Sequence, residues 1–327
     1  MLRLTTVLLT AAFATSMVRA EDATTLSRPT DAIHIAGLPD VKTNLQGSLT
    51  VTPKALVFTA KGTNEPLLRA RIVNAFIGDQ QTLPWGTTGM VVRRAIPLAF
   101  IPLGPTVGLA GLGAGAAVGA VTNKKADLLT VEFIDDHDGY HGVVFQLHSQ
   151  AAAGIRDQLL ANVTAPMGRP TPMERPAPVC TDAAARPRSI LLAPIATSGV
   201  ELPAEYRVLL YEQLIKQLKA KHPGDTFLRA GDLATGAGCA ALTLRITVKG
   251  FKKGNRAIRA SAGPLGLFLG TTSLNIDVNL QDSRGATIIT EQIKKSNRND
   301  SDSLGLADGI AKVATNRLDQ SLQKPQL

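Results

Sequence analysis

The chain has 327 residues, of which 44% are hydrophobic, and a formal net charge of +9. This length predicts about two domains, each large enough to bury a hydrophobic core. Only 4% of the residues are aromatic and the basic residues are spread along the chain, so the pattern of basic patches with stacking aromatics that favours nucleic-acid binding is not visible.

The first 20 residues predict a signal peptide for secretion. Arg3 supplies a positive charge, residues 4–18 carry no charge, and the sequence Val-Arg-Ala ending at Ala20 fits a signal peptidase site. The apolar run is short for a membrane span, and an uncleaved anchor is the alternative. We therefore expect an exported protein of the periplasm whose mature chain begins near Glu21.

The segment that follows predicts antiparallel β-strands. Apolar and polar residues alternate in GSLTVTPKALVF at 47–58, with a Thr-Pro-Lys-Ala turn between two runs, which indicates a hairpin. Another strand is expected around 68–77. Residues 128–134 and 142–147 are rich in β-branched and aromatic residues and flank an Asp-rich turn, which predicts a second hairpin.

A helix is expected over 149–163, because apolar residues there recur every fourth position. Strands followed by one helix predict a domain over 38–163, built as a small antiparallel barrel or bent sheet plugged by that helix. The stretches GSLTVTPKALVF and DLLTVEF…GYHGVVFQL, with the helix, resemble bacterial domains of the pleckstrin-homology and GRAM type over roughly residues 40–163. The resemblance implies a module that binds lipids or peptides, without catalytic residues.

An uncharged glycine-rich segment interrupts this domain at 95–123. Its glycines are spaced by four residues within two groups, Gly104 with Gly108, and Gly111 with Gly115 and Gly119. On a helix this spacing gives a flat stripe for close helix contacts, as in membranes. Prolines break the first half of the segment, so packing on the protein or a partner subunit and a loose Gly-rich loop are alternatives. We expect membrane binding or self-association.

Prolines at 166, 170, 172, 176, 178 and 187 predict an extended linker over 164–187. Cys180 lies in this linker, and Cys239 is the second of the two cysteines in the chain. An oxidising compartment favours their pairing in a disulfide. Two free thiols are the alternative, whereas a catalytic thiol lacks a His close in sequence.

Residues 188–323 predict a second α+β domain. A short apolar strand at 189–195 precedes a helix that Pro203 opens, and on that helix Glu212 and Lys216 are expected to pair on the surface, one turn apart. Three strands with apolar and polar residues in alternation follow, at 241–249, 274–280 and 286–294. They predict an antiparallel sheet covered on one face, followed by a final helix with Leu306, Ile310, Val313 and Leu318 on one side.

The stretches SILLAPI, LTLRITVKGFKKGNRAIRASAGPLG and LNIDVNLQDSRGATI resemble an uncharacterised bacterial envelope domain that is common in lipoproteins. Its layout is similar to the N-terminal domain of the Tol-system β-propeller protein and to the periplasmic part of the curli secretion lipoprotein. The resemblance implies a role in an envelope assembly. The cysteine that would anchor a lipoprotein is missing after the apolar leader.

Motifs of catalysis are missing from the sequence: Gly-x-Ser-x-Gly, His-Glu-x-x-His and a phosphate loop do not occur. Aspartates and histidines at 135–141 could form a metal site, but their mixed ligand types and the Asp-Gly composition favour an exposed turn. The sequence therefore predicts a non-enzymatic envelope protein without a cofactor, which binds a membrane or an envelope partner. A periplasmic protein that binds lipid or a small apolar ligand is the alternative.

Overall fold

The computed structural model describes residues 27–81, 125–148, 150–161, 185–232, 239–254, 271–297 and 304–323. In these ranges the chain forms two β-sheets and three α-helices, which confirms the α+β class. The first sheet and its helix contain β1 (Thr30–Ala36), β2 (Leu45–Val51), β3 (Ala55–Ala60), β4 (Thr63–Leu68), a 3-10 turn (Arg69–Arg71), β5 (Ile72–Gln81), β6 (Lys125–Ile134), β7 (Tyr140–His148) and α1 (Ala151–Leu160). The second part contains β8 (Ala185–Leu192), β9 (Ala196–Thr197), α2 (Ala204–Lys221), β10 (Thr226–Arg229), β11 (Cys239–Lys252), β12 (Thr272–Asp282), β13 (Thr287–Asn297) and α3 (Gly305–Gln323).

The first sheet is antiparallel throughout, in the order β4-β3-β2-β1-β7-β6-β5. Both predicted hairpins are confirmed as β2–β3 and β6–β7. Of the two predicted forms, a small barrel or a bent sheet, the barrel is wrong, because β4 and β5 form opposite edges of an open sheet. The turn Arg69–Arg71 interrupts the strand expected around 68–77, so that β5 lies on the far side of the sheet from β4.

Helix α1 covers one face of the first sheet. Its buried residues Ile155 and Leu159 pack in a core that includes Phe58 and Phe145. Arg69 is 6% exposed and donates hydrogen bonds to the carbonyls of Gln158 and Leu159, at 2.6 and 3.2 Å. These bonds satisfy carbonyl groups that the end of a helix leaves without a partner in the helix.

The second sheet has the order β10-β8-β11-β12-β13, with β9 beside β11. The pairs β11–β12 and β12–β13 are antiparallel, as the alternating pattern predicts. A wholly antiparallel sheet is nevertheless wrong, because β8 runs parallel to both β10 and β11. Helix α2 connects β8 to β10, and such a helical crossover returns the next strand in the same direction.

Apolar residues on one face of the second sheet, among them Ile246 and Val278, pack in a core with α2 and α3. The opposite face carries polar side chains such as Arg245 and Gln281, which hydrogen-bond across the strands at 2.7 Å. The predicted one-sided burial is therefore confirmed for β11 and β12.

Helix α2 lies between the two sheets. The core that contains its Tyr206 and Leu209 also includes Leu128 and Val144 of the first sheet. Close approach depends on a glycine in β7: a Cβ atom on Gly142 would lie 2.5 Å from Cγ1 of Val208. The two halves of the chain therefore share one hydrophobic core through α2.

The segment 95–123 lies outside the described residues, which end at Gln81 and resume at Lys125. Gln81 at the end of β5 pairs directly with Lys125 at the start of β6. Within the described ranges, no helix combines the length and apolarity that crossing a membrane requires.

Candidate functional site at the junction of the two sheets

The surface where α2 meets the first sheet contains a buried carboxylate from β6. Glu132 is 5% exposed, and its Oε1 accepts hydrogen bonds from the hydroxyl of Tyr140 at 2.7 Å and from Nη2 of Arg207 at 2.7 Å. The guanidinium of Arg207, on α2, also lies over the ring of Phe76 at 5.6 Å. This cluster links β5, β6 and β7 to α2.

A second buried carboxylate comes from α2 itself. Oε1 and Oε2 of Glu212 each accept a hydrogen bond from the guanidinium of Arg229 at 2.8 Å, and Oε1 also accepts one from the amide of Gly142 at 3.1 Å. The predicted surface pair of Glu212 with Lys216 is wrong, because Glu212 is 8% exposed and turns toward β7 and β10.

The end of β10 is bound to both halves of the molecule. The carbonyl of Ala230 accepts a hydrogen bond from the amide of Tyr140 at 2.8 Å, and the amide of Ala230 donates to the hydroxyl of Tyr211 at 2.9 Å. That hydroxyl donates in turn to the carbonyl of Leu192 at 3.2 Å. Backbone as well as side chains therefore connect the first sheet to the second.

The Asp-rich turn between β6 and β7 is held by its own hydrogen bonds. Oδ1 of Asp135 accepts from the amides of His137 and Gly139, both at 2.8 Å, and Oδ2 lies 2.9 Å from Nε2 of His141. The ring of His141 stacks on Phe133, with centroids 5.2 Å apart. In the described part of the chain, no group of His, Cys, Asp and Glu side chains has the arrangement of a metal site.

Burial and charge set the protonation of this junction. Burial would raise the pKa of Asp135, but the amides of Gly139 and His137 and the adjacent His141 outweigh it and hold the pKa below its usual value. Burial and the neighbouring Arg229 lower the pKa of His141. Asp135 is therefore ionised and His141 neutral at pH 7, which makes the Nε2 of His141 a donor to the carboxylate.

An open groove of about 470 Å3 lies beside these clusters. One wall is α2, with Lys216 and Lys219, and the other is the connection between β1 and β2 at residues 37–43. Arg229 and His141 also line it. Ligand pockets commonly have volumes of about 300–1,000 Å3, so the groove has room for a small molecule.

The loop wall of the groove is fixed by His34, which is 1% exposed. Its Nδ1 lies 3.0 Å from the carbonyl of Lys42, and its Nε2 lies 3.1 Å from the amide of Leu38. Because an amide only donates, Nε2 is the acceptor and Nδ1 carries the proton. At the start of the loop, Gly37 has a φ of 105° and packs on Gly142 so closely that a Cβ atom would meet its carbonyl oxygen.

Most of the residues predicted to carry function are outside the described part of the chain. Gly104, Gly108, Gly111, Gly115 and Gly119 are outside the described residues. Cys180 is also outside them, so the disulfide stays a prediction. The backbone of Cys239 begins β11 beside Ala185 of β8.

The buried charges of the junction were missed by sequence reasoning. A signal for them was present: Thr130 and Glu132 interrupt strand β6, which is otherwise apolar from Leu128 to Phe133. A carboxylate in such a strand predicts a buried cationic partner, because an unpaired buried charge is strongly unfavourable. The identity of the partner, Arg207, depends on the packing of α2 and has no local signal.

The sequence matches no protein-family model, and no curated protein matches it. Solved structures that resemble parts of the fold include the PelC dodecamer from Paraburkholderia phytofirmans, with a TM-score of 0.31 and 15% identity over 46% of this chain and 96% of that one. The hypothetical protein CT253 from Chlamydia trachomatis has a TM-score of 0.29 and 13% identity, over 41% of this chain and 97% of that one. Likenesses at this level carry no argument about function.

Proposed function

We propose that the protein is a non-enzymatic, exported component of the cell envelope, which binds a membrane or an envelope partner through the uncharged segment 95–123. The observation that carries this proposal is the direct pairing of Gln81 with Lys125. The described pairing of β5 with β6 uses no residue of 82–124, and we infer that the uncharged segment is additional to the sheet. A long apolar stretch that is surplus to a core is typical of an association site.

The chemistry of the junction supports a binding role over catalysis. Glu132 is engaged by Tyr140 and Arg207, and Glu212 by Arg229 and the amide of Gly142. These carboxylates are used to hold the halves together.

The apolar-ligand alternative has weaker support. Side chains of the core, such as Phe58 and Phe145, occupy the layer between α1 and the first sheet. The lining of the groove at the junction is mixed, with charged side chains such as Asp40, Lys216 and Lys219 beside apolar ones. The resemblances to pleckstrin-homology, Tol and curli domains remain predictions, and they agree in class with an envelope protein that binds other components.

The test is fractionation of cells that produce the tagged full-length protein, followed by pull-down in mild detergent. We expect the protein in the periplasm, attached to a membrane or in a complex. A variant in which a Gly-Ser linker of equal length replaces 95–123 should remain folded but appear as a soluble monomer. A variant with Lys61→Gln and Lys294→Gln, two exposed positions that are not part of that segment, is a control that should fractionate as the wild type does.

Three results would contradict the proposal. The wild-type protein could be recovered as a soluble monomer in every fraction, or the linker variant could associate as strongly as the wild type. If the linker variant unfolds, the segment belongs to the core and the proposal is also wrong.

A further inference from the structure

We propose that the groove between α2 and residues 37–43 binds a small organic anion, whose carboxylate or phosphate group is held by Lys216 and Lys219. The lining of this site contains no residue of segment 95–123, and the inference goes beyond the proposed envelope role.

The charges of Glu212 and Arg229 cancel within the groove lining. The two side chains form a pair with two parallel hydrogen bonds of 2.8 Å, and Oε1 of the carboxylate also accepts a hydrogen bond from the amide of Gly142. Such a bidentate pair has little charge left for a ligand. The lining that remains to attract an ion therefore consists of Lys216, Lys219 and Asp40.

The two lysines are free to bind an anion. Both line the groove, both are exposed, and neither forms an ion pair within the described part of the chain. They are three residues apart on α2, and positions with this spacing lie on the same side of a helix, about 5–6 Å apart at Cβ. Two flexible ammonium groups at that spacing can reach the oxygens of one carboxylate or phosphate group.

The walls of the groove are already ordered without a ligand. Helix α2 is fixed between the two sheets, and the hydrogen bonds of His34 to Lys42 and Leu38 fix the facing loop. Because the loop is already ordered, the binding of a ligand here costs less conformational entropy, which favours binding. A volume of about 470 Å3 fits a compact molecule.

The experiment measures binding to the full-length mature protein by calorimetry and by thermal shift, with citrate and inorganic phosphate as probes at low salt. The variant Lys216→Gln/Lys219→Gln should bind the probes at least about tenfold more weakly, because it loses two charge-assisted hydrogen bonds. The matched control, Lys61→Gln/Lys294→Gln, removes the same charge from distant exposed positions and should bind as the wild type does.

A substitution at Asp40 provides a second test, in which binding of the anion should become tighter and not weaker. Asp40 lines the groove and has a positive φ of 58°, a conformation that Asn adopts readily, so Asp40→Asn should preserve the loop. It should tighten binding of citrate, because it removes the one acidic lining group besides Glu212 in the described residues. A cationic ligand would instead bind this variant more weakly than the wild type.

Several results would overturn the proposal. One is that neither probe binds the wild-type protein. Another is that the control variant loses as much affinity as the groove variant does, which would indicate a nonspecific effect of net charge on binding. Asp40→Asn could also weaken binding of citrate. A protein that binds vesicles with anionic phospholipid through Lys216 and Lys219, but not citrate or phosphate, would show that the site serves lipid headgroups at a surface and not a free anion. Unaltered circular dichroism spectra establish that each variant is folded.

Discussion

The two faces of the first sheet are built on different principles. Residues of β6 alternate between them: Leu129 and Val131 lie in the core under α1, whereas Thr130 and Glu132 are on the face toward α2. The face under α1 is closed by apolar packing, with Arg69 reaching only the end of the helix. The face toward α2 combines apolar contacts with two carboxylate–guanidinium clusters.

The difference shows what each face contributes. Apolar packing is stabilising over a wide range of geometries, because volume matters more than direction. Buried charge pairs stabilise only in one arrangement, since either partner alone is strongly unfavourable. The face toward α2 therefore fixes the orientation of the second half of the molecule, and a series of variants can separate the two contributions.

The largest effect is expected from Glu212→Ala. It leaves the buried guanidinium of Arg229 without its carboxylate partner and the amide of Gly142 without an acceptor, and should lower the free energy of unfolding by about 3–5 kcal/mol. Chemical denaturation measures this loss, and the exposed Glu201→Ala is the control, with a change within about 0.5 kcal/mol. Glu212→Met combined with Arg229→Met should recover most of the stability. If the single variant were as stable as the control, the cluster would not orient the halves.

Two glycines test the closeness of packing on either face. Gly142→Ala would place a Cβ atom 2.5 Å from Val208, and should destabilise the protein by about 1–3 kcal/mol. Gly154→Ala, on the exposed side of α1, meets no atom within 4 Å and should stabilise the protein by up to about 1 kcal/mol. Thermal unfolding of the two variants should shift in opposite directions. Equal shifts would mean that α2 and the sheet are not in close contact.

The response to pH should be smaller and should come from the histidines. Burial lowers the pKa of His34 below 6.5, and Lys216 acts in the same direction, although the carbonyl of Lys42 opposes it. The unfolded chain therefore takes up more protons than the folded one as the pH falls, so the stability that is complete above about pH 6.5 decreases below it. Urea unfolding between pH 7 and pH 5 measures the slope.

The free energy of unfolding should depend less on pH in a variant that lacks the imidazole ring of His34. His34→Gln removes the titrating group at the loop wall, and it should be less stable at pH 7 but change less between pH 7 and pH 5. The exposed His137→Gln serves as the control and should keep the slope of the wild type. A slope in His34→Gln equal to that of the wild type would assign the effect to other groups.

The smallest effect is expected at Thr130. Its hydroxyl is buried on the face toward α2 without a hydrogen-bond partner in the described residues, so Thr130→Val should change stability by less than about 1 kcal/mol, toward stabilisation. At Thr52 the hydroxyl bonds to both the carbonyl and the amide of Ala55, at 3.0 and 2.9 Å. Thr52→Val should therefore destabilise by about 1–2 kcal/mol. A large loss at Thr130 would contradict the absence of a partner.

Local pattern predicts much of the secondary structure of this protein. The alternation of Leu244, Ile246 and Val248 with polar residues predicts β11, and the spacing of Ile155 and Leu159 predicts α1. These patterns are local, because each depends on the period of one element and on a single buried face.

The packing of α2 was not predicted, for a physical reason. The sequence of a helix that is buried on one side differs at only a few positions from that of a helix buried on two sides. In α2 these positions include Tyr206 and Glu212. The spacing of Glu212 and Lys216 is compatible with an ion pair on the surface, and only the position of Arg229 in β10 makes the buried alternative better. Strand β10, with four residues, is too short for alternation to indicate it.

The order of synthesis gives the position of α2 a consequence for the cell. The last strand of the first sheet ends at His148, and the helix that covers its outer face begins at Ala204. A chain that is synthesised from its N-terminus therefore completes this sheet before α2 exists to cover Leu128, Val144 and the carboxylate of Glu132. We therefore expect the nascent N-terminal half to expose apolar surface and to aggregate unless it is shielded until α2 is made. Expression of that half alone, cut at the proline-rich linker, should yield aggregates, whereas a cut after α2 should yield more soluble protein.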